Sequence, residues 1–176
     1  MKKILAIGGS NSKASINKQF ATYTAGLLEG TQTHVVDLND YDIPIYGIDH
    51  ENEKGFPAEA QRLNELFDTA DGFVVSLAEH NGSYAVAFKN VTDWLSRINR
   101  EVWRNKPMLL MASSPGGRGG ATVLEAAKGS YPHAAANVVG TFSLPKFYDN
   151  FSEDGISDPD LNTAFKAQVA ALQAAL

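Results

Sequence analysis

The chain contains no cysteine. Disulfides, thiolate nucleophiles and Cys-ligated metal are therefore excluded. Its four histidines, His34, His50, His80 and His133, are scattered, with no paired ligand spacing that would suggest a metal centre. There is no G-x-S-x-G elbow for a Ser-His-Asp hydrolase. Neither a Walker A motif nor a G-x-G-x-x-G dinucleotide fingerprint is present. No window approaches the roughly 18 apolar residues of a membrane span. The apolar run at residues 4–7 is too short for the h-region of a signal peptide. A soluble, cytoplasmic protein is expected. The formal net charge of −5 gives no reason to expect nucleic acid or a membrane as partner.

Acid is also missing from residues 1–28, which carry Lys2, Lys3, Lys13 and Lys18 and no Asp or Glu. That positive stretch encloses the most informative segment of the chain. Residues 2–7 read as a short apolar strand, and Ile16, Phe20, Tyr23 and Leu27 recur at helical spacing. Between them lies Gly8-Gly9-Ser10-Asn11-Ser12-Lys13-Ala14-Ser15. A glycine- and hydroxyl-rich loop at a helix amino end exposes backbone N–H donors where the dipole favours an anion. Ser10, Ser12, Ser15 and Asn17 can add side-chain hydrogen bonds to phosphate oxygens, and Lys13 a charge. The alternative is an ordinary turn in which Ser15 only caps the helix.

At 176 residues the chain is expected to form one domain. Further strands are expected at 33–38, 72–78, 106–112 and 138–144, each followed by a helical stretch. The first helix is expected to end near Gly30, and 39–56 to be a long loop. Gly129 and Pro132 should split the helix after the fourth strand. Asp158-Pro159-Asp160 should start the last helix. Alternation of this kind implies right-handed βαβ units and a parallel sheet covered on both faces. Five strands suit the doubly wound order 2-1-3-4-5, with ligands outside the strand carboxyl ends where the order reverses. The loops after strands 1, 3 and 4 would meet there: Ser10–Asn17, Glu79-His80-Asn81-Gly82-Ser83, and Ser113-Ser114-Pro115-Gly116-Gly117-Arg118-Gly119-Gly120. A response-regulator reading of this fold fails, because strand 1 ends in Gly8-Gly9-Ser10 instead of acids.

These motifs resemble those of the NADPH-dependent FMN reductase family, whose members include quinone, chromate and azo-compound reductases. Residues 9–17 resemble its G-S-x-R-x-x-S-x-N phosphate loop. Glu79–Ser83, with Lys89-Asn90-Val91-Thr92-Asp93-Trp94-Leu95-Ser96, resembles its P-E-Y-N-x-S…L-K-N-A-I-D-W-L-S segment. Ser113–Gly120 resembles its glycine-rich loop. The resemblance implies a flavodoxin-like three-layer sandwich, with residues 1–176 as one FMN-binding domain. It implies that Ser10, Ser15, Asn17 and the backbone of Ile16 hold the FMN phosphate. Glu79, His80, Asn81 and Gly82 would line the isoalloxazine; Ser113, Pro115, Gly116 and Gly117 would reach its pyrimidine end. Three positions depart from the pattern: Ser12 replaces the arginine, Ala78 the proline and His80 the tyrosine. Ser12 removes a bidentate phosphate clamp, for which Lys13 or Arg118 is the available substitute.

The activity so implied is hydride transfer from NADPH or NADH to bound FMN, then electron transfer to a quinone, free flavin or similar small acceptor. The cofactor carries that chemistry, so no obligatory acid or base is nominated. A homodimer or homotetramer is implied, with 39–56 as the segment covering a neighbour's site. Asp93 and Trp94 read otherwise as helix surface and core. A flavodoxin-type electron carrier without nicotinamide turnover, or a flavin-free binding module, remains the alternative.

Overall fold

The computed structural model describes residues 1–176. Five strands form the main sheet: β1 (Lys2–Gly9), β2 (Thr31–Val36), β3 (Gly72–Leu77), β4 (Pro107–Ser113) and β5 (Asn137–Leu144). All neighbours are parallel, in the order β2-β1-β3-β4-β5, as the alternation of elements predicts. The helices are α1 (Ile16–Gly26), α2 (Ile48–Lys54), α3 (Ala58–Asp68), α4 (Val86–Ile98), α5 (Ala121–Ser130), the single turn α6 (Phe147–Asn150) and α7 (Pro159–Ala175). No helix is long and apolar enough to cross a membrane.

Successive strand residues point to opposite faces, so the central strands feed two cores. Leu5, Ile7, Phe73, Val75 and Leu110 pack with Leu63 of α3, Phe88 of α4 and Val123 of α5. Ile4, Ala6, Val74, Leu109 and Met111 pack on the other side with Phe20 of α1 and Phe165 of α7. Cover on both faces explains the unbroken apolar run of β3, whose six residues are all buried. Each large side chain taken out of water this way contributes roughly 1.5–3 kcal/mol.

Two local expectations change. Helix α1 stops at Gly26, because Leu27 and Leu28 tighten into bonds to the Thr24 and Ala25 carbonyls. The 39–56 connection is not a plain loop: it holds a 3-10 turn at Leu38–Asp40 and then α2. Helix α2 buries no residue, so it has no apolar stripe to betray it; Asp49 and Glu51 in its first turn and Lys54 in its last suit the dipole instead. The same connection is tied to its own α4. Tyr46 N–H donates to Asn90 Oδ1 at 2.8 Å, and the Trp94 indole donates to the Pro44 carbonyl at 2.8 Å. Trp94 is therefore a fully buried core residue with its one donor satisfied. The break after the fourth strand falls where expected: α5 ends at Ser130 and a 3-10 turn, Tyr131–Ala134, follows. Asp158 caps α7 by accepting from the N–H groups of Asp160 and Leu161.

Gly8 fixes how closely α1 approaches the sheet. A Cβ at this position would lie 2.5 Å from Lys18 N and 2.6 Å from Lys18 Cα, both backbone atoms. Gly8→Ala is expected to lower stability by about 2 kcal/mol or more, read from denaturant unfolding. An unchanged midpoint would contradict the close approach.

Candidate functional site

The loop after β1 delivers the chain into α1 with several donors unspent. Ser15 Oγ accepts from Lys18 N–H at 3.1 Å, so Ser15 is the helix N-cap. Ser12 N–H is taken by Ser10 Oγ at 3.1 Å. The N–H groups of Lys13, Ala14, Ile16 and Asn17 donate to no acceptor in the protein. Four such donors at the positive end of a helix form an anion cradle. The two readings of Ser15 are compatible, because a capping hydroxyl keeps its own hydrogen for a ligand.

Asn17 joins this loop to the next two strands. It is 2% exposed. Its Oδ1 accepts from Ser76 Oγ at 2.7 Å and from Ser113 N–H at 3.0 Å, while Nδ2 donates to the Ser113 carbonyl at 3.1 Å. Ser113 Oγ in turn donates to the Leu144 carbonyl at 2.9 Å. One amide thus ties the start of α1 to β3 and β4, and through Ser113 to β5. The sequence reading missed Ser76, whose only signal is a lone hydroxyl inside an apolar strand.

After β3, Glu79–His80 pairs antiparallel with Ser83–Tyr84. Asn81 and Gly82 have φ of 52° and 77°, the two left-handed residues of a type I′ hairpin turn, a conformation Asn-Gly adopts readily. Asn81 and Gly82 therefore form an exposed tip. The Glu79 carboxylate accepts from Val123 N–H at 3.0 Å, in the first turn of α5. It holds the hairpin against that helix end, where the dipole favours a negative charge. His80 is exposed and lines the cleft together with two neighbouring cavities of about 580 and 540 Å³.

The loop after β4 positions a further element. Ser114 and Gly116 carbonyls accept from Phe147 N–H at 3.1 Å and Lys146 N–H at 2.9 Å. These bonds bring α6 and Tyr148 to the site. The N–H groups of Gly116 and Gly117 donate to no protein acceptor. Arg118 bonds the Thr122 hydroxyl, along α5.

The three loops meet around a cleft of about 230 Å³. Its lining includes Ser10, Ser12, Ser15, Ile16, Asn17, Glu79, His80, Ser113 and Pro115 of the expected set, with Ser114 and Tyr148 added. Lys13, Asn81, Gly82, Gly116 and Gly117 lie outside that lining. The sequence offered no local signal for Tyr148, an aromatic in a connection 131 residues beyond Asn17, the last member of the cradle. The early lysines also divide. Lys3 sits at the start of β1, at the sheet's opposite end, bonded to Thr69. Lys18 forms an ion pair with Asp37, just past β2, and its hydrogen bond holds the Asp37 carboxyl below the ordinary value. The field at the cradle thus rests on the helix end and Lys13 more than on the count of lysines.

A doubly wound parallel sheet with an anion cradle and two Gly/Ser loops at its switch point defines a flavodoxin-like nucleotide-binding fold. The model of the NADPH-dependent FMN reductase family matches residues 2–149, and the chain belongs to that family. A quinone reductase of Escherichia coli is 34% identical over 119 residues, covering 68% of this chain and 63% of the relative. An NAD(P)H-dependent FMN reductase of Pseudomonas aeruginosa is 32% identical over 115 residues, 65% of this chain and 60% of that protein. The match thus spans less than two thirds of either relative's length. Among solved structures, FerB of Paracoccus denitrificans, a flavoenzyme NAD(P)H:(acceptor) oxidoreductase, shares the fold with a TM-score of 0.78 at 23% identity. That superposition covers 99% of this chain and 97% of FerB.

Asn17→Ala would strand a buried N–H and C=O of Ser113 and the hydroxyl of Ser76. A loss of about 3 kcal/mol or more in unfolding free energy is expected; a loss below about 1 kcal/mol would show that the amide is not the tie. Because pairing lowers the folded-state value of Asp37, its stabilisation is present above the unfolded value of about 3.9 and disappears as pH falls through the folded one. Asp37→Asn should therefore be less stable than the native chain at pH 7, and the gap should close in acid. A gap of constant size from neutral to acid pH would rule out the ion pair as its source.

Proposed function

We propose that this single-domain chain is an FMN-dependent NAD(P)H oxidoreductase that passes electrons to a quinone, a free flavin or a similar small acceptor. The cluster of unpaired N–H donors at the start of α1 carries this reading. Lys13, Ala14, Ile16 and Asn17 offer backbone hydrogens to a dianionic phosphate, and Ser10, Ser12 and Ser15 flank it with hydroxyls. The residues fit FMN on this ground: a phosphate satisfies donors that the fold leaves open at a helix end. With Ser12 at the family's arginine position, backbone and hydroxyl donors take the place of a guanidinium clamp.

Ala78, His80 and Pro115 present the walls against which a flat ring lies, and Gly116 and Gly117, in the loop just outside that lining, keep N–H groups with no protein acceptor that can serve its edge. Glu79 and Ser113 are positioning residues, setting the hairpin and the β4 loop through bonds to the protein itself, and Asn81 and Gly82 form the turn of that hairpin. When bound, FMN supplies the hydride-accepting and electron-donating chemistry. The chain binds its phosphate, orients the ring, and offers N–H dipoles where negative charge develops. Exposed Ile45 and Val86 line the two cavities that His80 shares, which supports a homodimer or homotetramer with the site near the subunit contact. A cytoplasmic location, where NAD(P)H is at hand, goes with this reading.

The test is to add FMN, then NADH or NADPH without oxygen, then a quinone. The expected sequence is a retained flavin absorbance, its bleaching, and its return as quinone is reduced. FMN retained but not bleached by either nucleotide would make the chain an electron carrier of the flavodoxin type. A chain that retains no FMN would overturn the proposal.

A further inference from the structure

A larger groove lies beside the cleft, and Tyr148 stands on the rim between them. Its ring is 72% exposed and lines both spaces. The groove measures about 950 Å³ and runs over the outer side of α1, between the end of β2 and residues 147–153. Its floor is a fixed aromatic platform. Phe151 stacks on Phe147 with ring centroids 4.8 Å apart and meets Tyr23 edge-on at 5.2 Å. Phe151 also rests edge-on against the fully buried Phe20 at 5.5 Å.

Asp37 stands at one end of this platform, one residue past β2. Its carboxylate is oriented from two sides: Asn39 donates to Oδ1 through its N–H at 3.0 Å and its amide at 2.7 Å, and Lys18 pairs with Oδ2. The side chain keeps 28% exposure, so it can still accept from a ligand. Glu153 lies on the rim and belongs to no ion pair.

We propose that this groove receives the adenosine end of the nicotinamide dinucleotide, with the purine on the Tyr148–Phe151 platform and the ribose hydroxyls on Asp37, and that the chain consequently favours NADH over NADPH. The inference rests on the oxidoreductase reading above. Three observations carry it. The groove adjoins the cleft at Tyr148, which lines both, so one extended dinucleotide crossing that residue can occupy the two. A purine is flat and polarisable, which suits tyrosine and phenylalanine faces. In dinucleotide folds that carry a glycine fingerprint a carboxylate past the second strand accepts ribose hydroxyls; here, without that fingerprint, Asp37 offers the same kind of acceptor at the end of the groove. The selectivity follows from charge: Asp37 already consumes Lys18, and Glu153 leaves the groove net negative, a poor setting for a 2′-phosphate.

Calorimetric titration tests this with ADP-ribose and with its 2′-phosphorylated counterpart, each measured with and without FMN, so that the groove is read independently of flavin retention. ADP-ribose should bind in both cases, at least tenfold tighter than the 2′-phosphorylated form. Tyr148→Ala should weaken ADP-ribose about tenfold. Asp37→Asn should remove most of the discrimination. Glu153→Lys, at an exposed position, should shift it toward the 2′-phosphorylated form with FMN affinity unchanged. Absent binding of ADP-ribose, its displacement by FMN, or equal or tighter binding of the 2′-phosphorylated form would overturn the groove assignment. If the protein retains FMN and NADH or NADPH bleaches it in those cases, the oxidoreductase reading still stands. Loss of FMN retention alone would strike that reading and not the groove.

Discussion

Everything at the working end of this molecule depends on the side-chain amide of Asn17. It is buried between α1, β3 and β4, and its oxygen and nitrogen meet groups on residues 59 and 96 positions further along the chain. A buried amide with satisfied partners is directional in a way that apolar packing is not. It sets the height and rotation of α1 against the strand ends, and so fixes where the free N–H groups of Ile16 and Asn17 point. Gly8 permits the approach by having no side chain, and Ser15 closes the remaining donor of the first turn.

That arrangement leaves an imbalance which is itself informative. The first turns of α2, α3 and α4 also leave N–H groups without protein acceptors, but those of Ala14, Ile16 and Asn17 at α1 line the cleft where three loops meet, with the free N–H groups of the β4 loop close by. In water these donors are hydrated; a phosphate satisfies several at once and meets the favourable end of the dipole. The neighbouring loops are built in the opposite way. Glu79 and Ser113 expend their polar groups on α5, Asn17 and β5. Rigid supports thus surround an open cradle, a division suited to holding a ligand that brings its own chemistry.

The architecture was legible because parallel strands covered on both faces leave a plain trace. The apolar runs of β1, β3 and β4 and the capping residues Ser15 and Asp158 place the sheet and its order. The site was legible as loops, less so as roles. Asn17 and Glu79 both line the cleft as expected, but their side chains also have structural partners that no pattern announced: the Asn17 amide bonds Ser76 and Ser113, and the Glu79 carboxylate bonds the first turn of α5. The Asn81-Gly82 pair carried its own signal of a I′ turn, overlooked beside the motif it sits in. Helix α2 had no apolar stripe to reveal it, and Tyr148 reaches the cleft only through backbone bonds between 146–147 and 114–116. Pairings across the sheet edge have no local periodicity, so residue patterns report them only after the fold is known.

The most direct measurement of the central claim is the backbone amide spectrum of the isotopically labelled protein as FMN is added. The account predicts that the resonances of Lys13, Ala14, Ile16 and Asn17 move first and furthest, with those of His80, Gly116 and Gly117 following at the ring. Shifts that spare residues 13–17 and fall on another surface would contradict it.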